Sequence, residues 1–258
     1  MKLNLYQIDA FANEIFQGNP AAVCPLDKWL PDKILQSIAE ENNLSETAYY
    51  VPTETGFHIR WFTPKVEIDL CGHATLATAY VIFNLLGYTK DIIKFDSRSG
   101  ELIVSQNNEW LTMDFPSQPA HSCELKEELI VGLGKQPLEV LSSEDYLVVF
   151  KTEEDIISLK PNFEVLSQLE WRGVIVTAPG YDFDFVSRFF APKFGINEDP
   201  VTGSAHCALT PYWAGKLNKT KLTAKQLSKR TGELVCELNS DRVLISGKAV
   251  KYMEGTIF

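Results

Sequence analysis

This sequence predicts an α+β fold of two pseudo-symmetric lobes, each a curled, mostly antiparallel sheet wrapped around one central helix. Three observations carry that prediction. The chain repeats itself: Arg60-Trp61-Phe62-Thr63-Pro64-Lys65 returns as Arg188-Phe189-Phe190-Ala191-Pro192-Lys193, 128 residues later in a chain of 258. Gly72-His73-Ala74 then returns as Gly203-Ser204-Ala205 after 131 residues, so the second copy is slightly longer. Each copy runs on into an apolar helix-forming stretch, and short alternating strands surround both. A repeat of half the chain's length indicates two similar domains rather than a solenoid of short units.

Taken in order, residues 3–11 alternate as a strand, and Gly18-Asn19-Pro20 turns into a short strand at 21–26. Pro31 opens a helix that sets Ile34, Leu35, Ile38 and Ala39 at helical spacing. Strands follow at 46–51 and 57–62, where Thr63-Pro64 ends the second, and 67–70 is a short extended piece. The helix at 74–86 is apolar on all sides and is expected to be enclosed. Strands are read at 92–95, 101–105 and 111–115. The stretch 116–123, with two prolines and no periodicity, reads as a linker.

The second half repeats the order, with helices at 125–133 and 153–159 and strands at 138–141, 146–150, 173–178 and 183–190. The second enclosed helix is read at 204–215, and strands at 234–238, 242–246 and 250–257 finish the chain. Residues 1–116 are expected to form the first lobe and 117–247 the second. The last strand, about 248–258, is expected to cross back and complete the first. Two helix N-termini would then meet in a cleft between the lobes, where small-molecule sites tend to lie.

The net charge of −10, with no basic cluster, argues against nucleic acid as a partner. It does not exclude a small anion, because dipoles and a single Arg dominate inside a pocket. Five scattered cysteines with no CxxC read as reduced thiols in a cytoplasmic protein. Residues 1–9 lack the features of a signal peptide, and the longest apolar run is too short to span a bilayer, so no membrane association is expected. A homodimer is the default expectation for oligomeric state.

Four groups stand out as chemistry: Glu46, the Cys71-Gly72-His73 turn, the Glu198-Asp199 pair and Thr202-Gly203-Ser204. Glu46 starts a strand among Leu44, Ala48, Tyr49 and Tyr50, where partial burial suits a carboxyl to acid/base work; the plainer reading is a solvated strand end. At a helix start the dipole favours the neutral imidazole of His73, which can then hydrogen-bond a substrate or simply cap the helix. Asp199 before Pro200 reads as an N-cap, as the holder of a bound amine, or as a partner that orients His73. Small residues and hydroxyls ahead of the second helix offer backbone N–H groups to an anion. Cys71, His73, His206 and Cys207 could be four zinc ligands but lack finger spacing, so no metal is expected. No nucleophile elbow, dinucleotide fingerprint or P-loop occurs.

The segments Gly18-Asn19-Pro20-Ala21-Ala22-Val23, Asn43-Leu44-Ser45-Glu46-Thr47-Ala48, Asp69-Leu70-Cys71-Gly72-His73-Ala74-Thr75 and Glu198-Asp199-Pro200-Val201-Thr202-Gly203-Ser204-Ala205 resemble the phenazine-biosynthesis PhzF-like isomerase family, in its order and across most of the chain. The resemblance implies a diaminopimelate-epimerase-like fold and a site between its domains that uses no cofactor or metal. In the family's best-understood member, a dihydro-hydroxyanthranilate is isomerised by moving a proton between ring carbons. The family's acid/base Glu falls on Glu46, and its substrate-binding His and Asp fall on His73 and Asp199. The turns that hold the substrate's carboxylate fall on Gly72-His73 and on Gly203-Ser204, beside Thr202. Relatives in the wider fold invert stereocentres with two thiols, one per helix start. Cys71 stands at the first such position and Thr202 at the second, and a threonine hydroxyl cannot trade protons as a thiolate does. The expected activity is therefore a one-base proton shift on a small carboxylate through Glu46. A racemase or epimerase acting through Cys71, and a non-catalytic binding protein of the same fold, are the alternatives.

Overall fold

The computed structural model describes residues 2–258, and the chain divides into two compact units. One runs to Asp114 and takes back Ser246–Phe258; the other is Phe115–Ile245. In the first, β1 (Leu3–Ala10), β2 (Asn19–Pro25), α1 (Asp32–Asn42), β3 (Glu46–Pro52), β4 (Phe57–Phe62) and β5 (Glu67–Ile68) precede α2 (Gly72–Tyr80). Strands β6 (Ile92–Ser97), β7 (Gly100–Asn107) and β8 (Trp110–Pro116) follow.

The second unit holds β9 (His121–Ser122), α3 (Glu127–Leu133), β10 (Glu139–Ser142), β11 (Tyr146–Val149), α4 (Glu153–Ile157), α5 (Phe163–Leu166), β12 (Val174–Pro179), β13 (Phe185–Ala191) and β14 (Ile196–Asp199). Then come α6 (Gly203–Leu217), β15 (Lys221–Gln226), β16 (Gly232–Asn239) and β17 (Arg242–Gly247). The final strand β18 (Ala249–Ile257) pairs antiparallel with β1, from Leu3↔Ile257 to Ala10↔Ala249. No helix is long and apolar enough to cross a membrane among the described residues.

The repeat in the sequence is a repeat in strand pairing. In the first unit β2–β3 is parallel, β3–β4 antiparallel, β4–β5 a short antiparallel pair, β4–β6 parallel and β6–β7 antiparallel. In the second, β11–β12, β12–β13, β13–β14, β13–β15 and β15–β16 follow the same senses in the same order. The repeated Arg and Phe have the same task in each copy. Arg60 donates through Nε and Nη2 to the two carboxylate oxygens of Glu67 at 2.7 and 2.8 Å and lies over the Phe62 ring. Arg188 does so to Glu198 at 2.7 and 3.0 Å and lies over Phe190. Each fork clamps a long strand to the short strand that leads to a helix start, in the bidentate geometry that only Arg provides.

Each unit encloses its own apolar helix. Helix α2 is buried from His73 to Ala79, as its all-round apolar character requires. The expected single helix to residue 86 is interrupted: Val81–Leu85 forms a π-helical turn, with Leu86 N–H donating to the Val81 carbonyl at 3.1 Å. Helix α6 carries Pro211 in its interior, which deprives the Cys207 carbonyl of its helical donor. The backbone N–H of Gln118 supplies the missing bond at 3.0 Å. That contact gives structure to part of the stretch expected to be a bare linker, and β9 within it pairs with β10. Strand β15 escaped the sequence reading because its inward positions, Leu222, Ala224 and Gln226, carry little apolar signal.

Candidate active site

In the first unit the parallel strands β2 and β3 begin side by side, with Ala21 opposite Glu46, and α2 packs against both. Gly18 makes the approach to β2: it turns at φ 67°, and a Cβ there would stand 2.2 Å from the Ala10 carbonyl oxygen. The next residue, Asn19, is fully buried, and its Nδ2 meets His73 Nδ1 at 3.3 Å. Ser45 Oγ donates to Asn19 Oδ1 at 3.3 Å. Glu46, Gly72 and His73 are thus brought together by two strand starts and one helix start.

His73 and Glu46 are each only 6 % exposed, and His73 Nε2 lies 2.9 Å from Glu46 Oε2. The contact is close but not aligned as a hydrogen bond, and Oε2 has no aligned donor among the described residues. Burial opposes charge on His73, and its anionic neighbours override that, so its pKa is held well above the ordinary value. Glu46 is the neighbour that matters near neutral pH, because burial pushes the Cys71 thiol up to about 11 and keeps it protonated. The carboxylate at 2.9 Å therefore works against the helix dipole, which favours the neutral imidazole. The second ring nitrogen has a partner in either state, since Cys71 Sγ lies 3.5 Å from Nδ1 as a weak acceptor and the Asn19 amide lies beside it.

In the second unit Asp199, Thr202, Gly203 and Ser204 come together at the start of α6. Asp199 is not the N-cap. Thr202 holds that position without capping the helix, and its hydroxyl donates to Asp199 Oδ2 at 2.5 Å. Gln226, fully buried, joins them: Thr202 N–H donates to its Oε1 at 2.9 Å and its Nε2 donates to the Asp199 carbonyl at 2.8 Å. Ser204 Oγ accepts from Arg172 Nη2 at 3.0 Å, while Arg172 is held in a fork by Asp145. Glu198, paired with Arg188, belongs to the scaffold.

Helix α2 likewise has no side-chain cap at Cys71, so in both units the first-turn N–H groups are not taken up by a capping side chain. His206 and Cys207 are committed inside α6, with His206 Nδ1 donating to the Thr202 carbonyl at 2.9 Å. Asn19, Arg172 and Gln226 were missed as site residues. Asn19 stood inside a motif but read as a turn, and the other two reach their helix start through long-range pairing.

The sequence model of the phenazine biosynthesis-like proteins (PhzC-PhzF) matches residues 8–255. An uncharacterized isomerase of Pseudomonas aeruginosa is 54% identical over 257 residues, covering 100% of this chain and 99% of the relative. The crystal structure of a PhzF-family phenazine biosynthesis protein from Enterococcus faecalis superposes with a TM-score of 0.98 at 47% identity, covering 100% of both chains. A hydroxyproline epimerase from Agrobacterium vitis, solved with trans-4-hydroxy-L-proline, is 8% identical and covers 99% of this chain and 92% of its own. Its TM-score of 0.63 marks a shared fold that reaches into the epimerases. With its repeated lobes, its enclosed helices and these relatives along its whole length, the chain belongs to the phenazine biosynthesis-like (PhzC-PhzF) family and is an isomerase.

Proposed function

We propose that this isomerase moves a proton on a small carboxylate substrate, with Glu46 as the single acid/base and without a cofactor. One observation carries the reading: a buried carboxylate oxygen, Glu46 Oε2, has no aligned donor and faces a helix start with no side-chain cap. As carboxylate, Glu46 takes a proton from an activated C–H and returns it at a conjugated carbon. His73, held cationic beside it, donates to the substrate oxygen on which negative charge develops. The first-turn N–H groups of Gly72 and His73 are suited to hold the substrate's carboxylate, and in the second unit those of Gly203 and Ser204, beside Asp199 and Thr202, are binding groups of the same kind. The working protein is proposed to be cytoplasmic and a homodimer.

A thiol-based racemase through Cys71 is the second reading, because the sulfur belongs to the same cluster, 3.5 Å from His73 Nδ1. Burial keeps that thiol protonated, and the second unit offers Thr202, already bonded to Asp199, where a partner thiol is needed. The test is deuterium uptake from D2O into a panel of amino, hydroxy and unsaturated carboxylates. Uptake that survives Glu46→Gln but ends with Cys71→Ala would transfer the role to the thiol. No uptake into any member by the native protein would turn the reading toward a binding protein.

A further inference from the structure

The Glu46 cluster has the donor set of a metal site. We propose that Glu46, Cys71 and His73 bind a thiophilic divalent cation, Zn2+ foremost, which occludes the carboxylate. A carboxylate oxygen, the sulfur and a ring nitrogen of these three buried residues all lie within 4.8 Å of one another. His73 Nε2 stands 2.9 Å from Glu46 Oε2 and 4.0 Å from Cys71 Sγ. Tetrahedral zinc, with bonds of about 2.0 Å to N and O and 2.3 Å to S, sets neighbouring donors about 3.3–3.7 Å apart. The observed separations bracket that range, so small side-chain rotations suffice. Three protein donors leave a fourth position open to water or a small anion.

Two further features favour the ion. Glu46 Oε2 is buried with no aligned hydrogen-bond donor among the described residues, so a cation exchanged for the His73 contact gives it a directed bond. Cys71 and His73 flank Gly72 at a rigid first turn, where Thr75 Oγ1 donates to the Cys71 carbonyl at 2.6 Å and Thr75 N–H donates to it at 3.1 Å. The positive end of α2 opposes a cation, and a thiolate plus a carboxylate outweigh it. On binding, the Cys71 thiol proton and the His73 Nε2 proton both leave to solvent, and the neutral imidazole coordinates through Nε2. Its Nδ1–H then donates to Asn19 once that amide turns its oxygen inward, the kind of outer-shell support that metal-bound imidazoles use. Mg2+ and Ca2+, which need six or more oxygens, find a single carboxylate here. Loss of turnover on binding rests on the proposed role of Glu46; the binding itself does not.

The test is a Zn2+ titration of the chelator-stripped full chain in competition with a chromophoric chelator. The expected result is one Zn2+ per chain, unaffected by excess Mg2+ or Ca2+. Outer-shell changes cost metal sites about 10–100-fold in affinity, so loss of a ligand in Cys71→Ser is expected to weaken binding by more than about 100-fold. Cys123→Ser, a half-buried thiol outside the cluster, is expected to bind as the native chain does. Should Cys71→Ser fail to fold, Co2+ added to the native chain reports directly, through a thiolate-to-cobalt charge-transfer band. No stoichiometric binding, binding that survives Cys71→Ser, or Co2+ without that band each overturns the site. An active Glu46→Gln variant alongside zinc binding by the native chain removes Glu46 as base and leaves the site standing. Inactive Glu46→Gln with no zinc binding does the reverse.

Discussion

Glu46 Oε2 and His73 Nε2 lie 2.9 Å apart in a place nearly closed to solvent, so the carboxylate and the imidazole there act as one unit. Burial works to lower the His73 pKa, but Cys71 and Glu46 beside it raise it above its ordinary 6.5, so the folded state holds a proton the unfolded chain releases. The stability from the pair is fully present below about pH 6.5 and is lost as pH rises through the raised value. Urea midpoints for the native chain and His73→Gln are therefore expected to differ fully at about pH 6.5 and below, and to converge in alkali. A gap that widens with pH would mean His73 is neutral in the fold.

Glu46→Gln keeps the shape of the side chain and removes its basicity. Isotope exchange into the substrate is expected to fall by about 100- to 10,000-fold, the usual worth of a positioned acid/base group. Affinity for a carboxylate inhibitor should change little. An equal loss in binding would make Glu46 a ligand-holding group rather than the base.

Arg188 satisfies Glu198 and also donates to the Ile156 and Leu159 carbonyls at 3.0 and 3.1 Å. Its side chain is 11 % exposed and that of Glu198 is 22 % exposed, so solvent replaces these bonds poorly. Arg188→Met is expected to cost about 3 kcal/mol by leaving a carboxylate and two carbonyls unpaired. Restoration by Glu198→Gln in the double variant, measured by chemical denaturation, would identify the stranded carboxylate as the main cost.

His206 is fully buried against Phe185, and its Nε2 has no partner among the described residues. Burial lowers its pKa from 6.5 to about 4, although the Thr202 carbonyl works the other way. Stability is complete above about pH 6.5 and declines as pH falls toward 4, by on the order of 3 kcal/mol in all. Denaturation midpoints at pH 7 and pH 4.5 should show this decline in the native chain and a smaller one in His206→Gln.

The sequence announced its scaffold more clearly than its chemistry. Arg60, Phe62 and Pro64 recur because each copy needs the same clamp, and a repeat is visible wherever packing imposes the same solution twice. The reactive positions do not recur: Cys71 is answered by Thr202 and His73 by Ser204, so the repeat located both turns without revealing their chemistry. Glu46 stood out among apolar neighbours, but only the family resemblance set it apart from a solvated strand end, because a Glu at a strand start carries no sign of its own burial. Asn19 and Gln226 were illegible for a related reason, since each reaches its helix start through a strand register set by residues far along the chain. The π-turn at Val81–Leu85 left no pattern, because the run on which it rests is apolar but for Asn84 and carries no Pro or Gly to mark a break.

Pro211 has a consequence for how the second unit holds together. It leaves one carbonyl of a buried helix without its helical donor, and the replacement comes from Gln118, 89 residues upstream of Cys207. The proline thereby fastens the opening segment of the unit to its centre, with a bond that an uninterrupted helix would have kept for itself.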